Sequence, residues 1–199
     1  MGVEPKTRAA ILSAAKQCLL EIGYARLSTR RIAVAAGVPL SQIHYHFGSK
    51  QNLVLEVLAE ENRRLLDRQT DMYNQDMPLW KRWEQACDFL DDDLESGYVR
   101  VLQEMMAAGW SDEEIAASVR ANLMGWFELL TTVASSAFDR FPGLDEAFSA
   151  EELAILTSVA FLGAEAIILL GVEEAVAPTR AALRKVGALI RRFEEGDAS

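Results

Sequence analysis

The stretch GVPLSQIHYHFGSK, residues 37–50, gathers both histidines of the chain, His44 and His46, with Tyr45 and Lys50. Two imidazoles, a phenol and an ammonium so close together can bind a metal, move protons, or donate hydrogen bonds to an anion. Spacing separates these chemistries. Helix residues two apart point about 200° from one another, so His44 and His46 cannot share a metal as an i, i+4 pair can. No metal-ligand motif, nucleophile–base pair or glycine-rich nucleotide loop occurs elsewhere, so neither a metal nor a cofactor is expected and catalysis has no candidate residues. Donation to an anion remains.

The elements that must hold these groups follow from periodicity. Ile11, Leu12, Ala15, Cys18, Leu19 and Ile22 form one apolar face, predicting a first helix over about residues 6–22 that Gly23 ends. Ser28 or Thr29 can cap a second short helix carrying Ile32, Ala33 and Ala36, and Gly37 terminates it. Val38 and Pro39 lead into a third, from about Leu40 to Phe47, with Ser49 capping the next. Two short helices joined by a glycine-containing turn, with a preceding helix to pack on, form a helix-turn-helix. Ile43 and Phe47, four apart, must face inward. Thr29, Tyr45, His46 and Lys50 then suit phosphate oxygens and hold register, while Leu40, Ser41, Gln42 and His44 can reach base edges.

Charge agrees with a polyanion partner for one part of the chain only. The 199 residues carry a formal −10. Residues 1–50 hold seven Lys/Arg against Glu4 and Glu21, a net +5, which leaves −15 for the rest. Such asymmetry is expected where a small basic head meets nucleic acid and a larger acidic body does not. Cys18 and Cys87 are far apart and form no disulfide framework, and no charged-then-apolar leader opens the chain, so the expected compartment is the cytoplasm.

The string LSTRRIAVAAGVPLSQIHYHFGSKQNLVLEVL resembles the DNA-binding region of the TetR family of bacterial transcriptional regulators. The threonine before helix two, the A-x-x-A-G-V turn, the aromatic-His-Phe ending and the following lysine carry the likeness, over roughly residues 8–58. It departs in the reading helix: Pro39, Leu40 and Ser41 stand where the family often has a small cap, lysine and glycine, and His44 where it often has tyrosine. Those departures bear on the operator sequence. The resemblance implies an all-α homodimer of about nine helices, with a DNA-binding domain at 1–50 and a ligand-binding and dimerisation domain at 51–199.

Beyond residue 50 the pattern is long and helical. Helix four is expected from Lys50 to about Thr70, and helix five opens near Pro78. Capping boxes at Ser111/Glu114 and Ser149/Glu152 start helices seven and eight, and helix nine begins around Pro178. AILTSVAFLGAEAIILLG is apolar almost all round, so a single core face cannot account for it. A membrane span is the competing reading, but Glu165 and the flanking Glu151, Glu152, Glu173 and Glu174 make a poor one. Dimer packing through helices eight and nine, with Gly163, Ile167 and Gly187 at the seam, fits better.

The family likeness places a ligand cavity in helices five to seven. Trp83, Cys87, Met105, Met106, Trp110, Trp126 and Phe127 are candidate walls there, and Glu104 and Glu165 candidate polar anchors. The run Asp91, Asp92, Asp93 points in three directions on a helix and reads as a solvated face. The expected partners are a double-stranded DNA operator with inverted-repeat symmetry, a second copy of the chain, and a small, largely apolar or cationic effector that releases the DNA. Two other classes stay open: a helical enzyme, and an adaptor whose C-terminal part binds a protein.

Overall fold

The computed structural model describes residues 3–141 and 143–196, with only the backbone for residues 3–5. Among the described residues there are ten helices and no strand: α1 (Val3–Arg26), α2 (Thr29–Ala36), α3 (Leu40–Phe47), α4 (Lys50–Tyr73), α5 (Leu79–Ser96), α6 (Tyr98–Gly109), α7 (Glu113–Phe138), α8 (Leu144–Ala147), α9 (Ala150–Leu170) and α10 (Glu173–Glu195). Nine helices were expected. The tenth is the single turn α8, inside the segment read as a loop. α1 leaves helical geometry at Gly23 (φ 73°, ψ 164°), where its end was expected, and then continues to Arg26.

Contacts group the chain into two units. Unit 1 runs to Arg64 and adds Gly97–Asn122, and unit 2 comprises Leu65–Ser96 and the chain from Leu123 onward. Residue 50 marks the end of the helix-turn-helix. The packing boundary instead falls within α4 and again within α7, because the first part of α4, all of α6 and the start of α7 cluster with α1–α3.

In unit 1, Ile11, Ala15, Cys18 and Leu19 of α1 are buried, as are Ile32 of α2, Ile43 and Phe47 of α3, and Leu53, Val57 and Leu58 of α4. α6 contributes Val99, Val101, Leu102 and Met105 to the buried set. The α2–α3 turn needs a left-handed residue, and Gly37 (φ 65°, ψ 32°) supplies it while its N–H donates to the Ala33 and Val34 carbonyls.

Unit 2 is built on a cluster of Met72, Ala86, Cys87, Leu90, Phe161, Ala164 and Leu183 drawn from α4, α5, α9 and α10. Ion pairs link α5 to its neighbours: Asp91 to Arg180, Asp88 to Arg184 at 2.7 Å, and Asp93 to Arg68 at 2.6 Å. By length and composition α9 could cross a membrane, with mean hydropathy 2.3 over an 18-residue window. Here it contacts α5 and α10.

Two helix starts differ from expectation. α10 begins at Glu173 rather than Pro178, because the Val172 carbonyl accepts the N–H groups of Ala175 and Val176 and opens the helix a turn earlier. Pro178 therefore sits inside the helix. α7 is capped by Asp112, whose Oδ1 accepts from Glu114 N at 3.0 Å and Ile115 N at 3.1 Å, where a Ser111 box was expected. The box at Ser149 and Glu152 forms in full. Asp112→Ala should therefore destabilise the chain by about 0.5–2 kcal/mol, whereas Ser111→Ala should stay within about 0.5 kcal/mol of wild type. Urea unfolding of both variants checks this, and equal losses would contradict it.

Candidate nucleic-acid interface and ligand cavity

In unit 1, α3 is held by Ile43 and Phe47, both buried. The faces that remain carry Ser41, His44 and Tyr45 into solvent, with Tyr45 71% exposed, while Leu40 and Gln42 are half-buried at the flanks. Ser28 caps α2 by accepting from Arg31 N, and Thr29 is the first helical residue. His44 Nδ1 lies 3.1 Å from the Gly48 carbonyl oxygen. In the neutral ring this contact assigns the proton to Nδ1 and leaves Nε2 as an acceptor.

Two expected phosphate contacts are used otherwise. The Lys50 ammonium donates to the Tyr24 carbonyl at 3.2 Å and lies 4.2 Å from the centre of the Tyr24 ring. His46 packs edge-on to Tyr45, and its Nε2 is closed off from solvent with no hydrogen-bond partner. The basic residues of the first fifty divide likewise. Arg8 pairs with Glu56 at 2.5 Å, Lys16 with Glu61 at 2.6 Å and Arg31 with Glu21 at 3.6 Å. Arg30, exposed on α2, has no carboxylate within ion-pair distance among the described residues. It was counted in the charge of the head but not singled out; Arg26, whose Nε donates to the Ile22 carbonyl at 2.9 Å, likewise has no carboxylate there.

The expected cavity residues do not come together. Met105 is fully buried in unit 1 and Met106 half-buried there, while Trp110 stands 85% exposed. Glu104, expected to anchor a ligand, instead accepts the Tyr24 N–H at 2.5 Å and pairs with Arg100 at 3.2 Å. It satisfies the backbone where α1 breaks at Gly23.

Unit 2 does contain a cavity, of about 700 Å³, built from α4, α5, α7, α8, α9 and α10. Of the candidate wall residues, Trp83 and Trp126 line it, joined by Tyr73, Phe141, Phe161 and Phe193, which had not been singled out. Phe127, next to Trp126 on the same helix, points elsewhere, and Cys87 belongs to the core, where burial pushes its thiol up to about 11. Glu165 is half-buried on α9 and is not part of the lining. Trp83 is fixed on three sides. Its Nε1 donates to the Leu183 carbonyl at 2.7 Å, its ring meets Phe161 edge-on at 5.6 Å, and a Cβ at Gly187 would come 3.0 Å from its Cδ1. The close approach at Gly187 is thus to α5 of its own chain, not to the expected dimer seam.

Residues 11–57, which include α2, the turn and α3, match the model of the bacterial regulatory proteins, tetR family. This segment belongs to that family. The repressor AcnR of Corynebacterium glutamicum is 36% identical over 61 residues, 31% of this chain and 32% of that protein, so the match spans about a third of this curated relative. Two solved structures share the fold over nearly the whole chain. FadR of Bacillus subtilis, in complex with stearoyl-CoA, superposes at a TM-score of 0.75 with 12% identity, covering 90% of this chain and 96% of that one. A transcriptional regulator of Saccharomonospora viridis, in complex with choline, gives 0.74 with 21% identity, covering 91% and 95%. The all-helical architecture is therefore shared with these two structures over nearly the whole chain, and the family match covers residues 11–57.

Near the cavity, Glu194 of α10 accepts the N–H groups of Leu79 at 3.0 Å and Trp80 at 2.9 Å, at the start of α5, and pairs with Arg140 at 3.1 Å. Burial acts to raise its carboxyl, and the N–H groups of Trp80 and Leu79 with Arg140 outweigh it, so the group lies below the ordinary glutamate value. A carboxyl depressed in the fold stabilises it above the unfolded value, and that contribution disappears as pH falls through the folded one. Melting temperature should therefore drop more steeply below about pH 4.3 in wild type than in Glu194→Gln. Parallel melting curves would contradict this.

Proposed function

We propose that this chain is a cytoplasmic, homodimeric transcriptional repressor that binds an inverted-repeat operator and is released by a small effector in the unit 2 cavity. The observation that carries the reading is the exposed face of α3, pinned from behind by Ile43 and Phe47 and presenting Ser41, His44 and Tyr45 within a TetR-type segment. Support for repression comes from the AcnR relative, a repressor. Thr29, Arg30 and Tyr45 meet phosphates; Leu40, Ser41, Gln42 and His44 meet bases. With Nδ1 donating to the Gly48 carbonyl, His44 Nε2 can accept from an exocyclic amino group of adenine or cytosine in the major groove.

Dimerisation is supported by α9. Leu156, Val159 and Leu170 are exposed along it, and nothing lies within 4 Å of where a Gly163 Cβ would be. Apolar exposure of this extent on one helix fits a buried contact with a second copy, whose twofold axis would set the two reading helices roughly 34 Å apart. Ile167, half-buried at the edge of this face, joins the seam. The cavity favours an effector-responsive protein over an adaptor, and its apolar walls favour a largely apolar ligand. The same fold carries stearoyl-CoA in the Bacillus protein and choline in the Saccharomonospora protein.

Selection from randomised duplex DNA should recover an inverted repeat, bound with an affinity that falls steeply with salt. Arg30→Ala should weaken all sequences alike and reduce the salt slope by about one, whereas His44→Ala should cost about 1–3 kcal/mol at one base pair per half-site. Anisotropy titrations over a panel of operator variants separate the two, and identical profiles would refute this division of contacts. Gly163→Arg should give a monomer by sedimentation, because the apolar seam cannot solvate the guanidinium. A dimeric Gly163→Arg with normal operator affinity would move the interface elsewhere.

A further inference from the structure

We infer that the unit 2 cavity takes an amphiphile with a long apolar body and a single carboxylate end, and that Arg140 receives the carboxylate. This rests on the cavity being the effector site and names the chemistry of what fills it. Among the described residues of the lining, Arg140 is the one charged group. The others are aromatic, aliphatic or small, with Tyr73 and Thr157 bearing the hydroxyls. Burial pushes the Tyr73 phenol far above its ordinary value, so it stays neutral and offers a cation no counter-charge.

The lining thus rules against the cationic alternative on two grounds. Aromatic faces attract cations, but the one charged group among the described lining residues is a guanidinium, which repels them. A cavity of about 700 Å³ also leaves much apolar wall uncovered around a small quaternary ammonium, whereas an extended chain fills it.

Arg140 is placed for a head group. Its side chain is 40% exposed, and it also borders a second recess of about 500 Å³ lined by Asp76, Trp80, Lys81, Glu194 and Glu195. The apolar body can therefore lie inside while the charged end stays near water at the boundary. A guanidinium has five N–H donors in a planar fork, and among the described residues the side chain of Arg140 uses one amine, toward Glu194. The remaining donors can take a ligand carboxylate, in the geometry that favours arginine for this contact. Should Arg140 turn fully to the ligand, Glu194 keeps the Leu79 and Trp80 N–H groups. The site can thus accept an anion without leaving a buried carboxylate bare.

The test uses the full chain and three probes with one tail: dodecanoate, dodecanol and dodecyltrimethylammonium, each below its micelle concentration. Binding is read by tryptophan fluorescence, since Trp83 and Trp126 are in the wall. Dodecanoate should bind about tenfold or more tighter than dodecyltrimethylammonium, with dodecanol between, as a charge-assisted hydrogen bond is gained by the first alone. Arg140→Gln should bring dodecanoate to the level of dodecanol while leaving dodecanol unchanged, and Arg140→Lys should restore part of the preference. Ala134→Trp, which fills the cavity from α7, should abolish binding of all three. The inference is overturned if the ammonium probe binds as tightly as the carboxylate, if Arg140→Gln keeps the carboxylate preference, if Ala134→Trp changes nothing, or if no probe binds. Operator affinity is measured separately. Dodecanoate that obeys these rules but leaves DNA binding untouched upholds the site and counts against its effector role, whereas normal operator binding by a chain that takes up no probe overturns the site alone.

Discussion

A helix cannot bond its own first N–H groups, and a chain made almost entirely of helices meets that problem at every start. Much of this structure follows from how the problem is solved. Ser28, Ser49, Asp112 and Ser149 do it locally, within three residues. Glu194 does it from the far end of the chain for α5, and Glu104 does the same for the backbone N–H left over where α1 breaks. Acidic side chains also suit the positive end of the helix dipole. Part of the acidity of the C-terminal three-quarters is therefore structural, and not a surface awaiting a cation.

α9 shows how one helix can serve two masters. Leu153, Thr157 and Phe161, spaced by four, turn one side to the cavity, while Leu156, Val159 and Gly163 turn another side outward. Ala154, Ser158 and Ala164 are buried in the chain itself. Few directions are left for a polar residue, which is the physical reason that its composition approaches that of a membrane helix. A ligand that changes the cavity wall presses on the same helix that offers the apolar face. The cavity wall and the exposed apolar face are thereby two sides of one helix.

The reading head was legible in the sequence because its determinants are local. Ile43 and Phe47 are one turn apart, Gly37 follows directly on α2, and each cap lies within three residues of its helix. The TetR-type pattern is a compact record of those short-range rules. The cavity was not legible in the same way. Helical spacing says which side of a helix is apolar but not which other helix will meet it. Met105 and Trp126 look alike as apolar helix residues, yet one is core in unit 1 and the other lines a void in unit 2. Glu104 and Lys50 were misplaced for the same reason. Their partner is the backbone of Tyr24, 80 and 26 residues away. Gly187 was read as a site of close approach to a second copy, and the neighbour found there is Trp83 of the same chain, a distinction that sequence does not carry.

The Glu194 contact has a consequence in time. The N-terminus of α5 is completed by a residue 115 positions later. At a synthesis rate of about 5–20 residues per second, roughly 6–23 s pass between the two. During that interval a nascent chain has α5 without its cap and the cavity without α10. Unit 2 can close only once α10 has been made, so a message truncated even shortly before codon 194 would yield a polypeptide with α2 and α3 present and unit 2 unfinished.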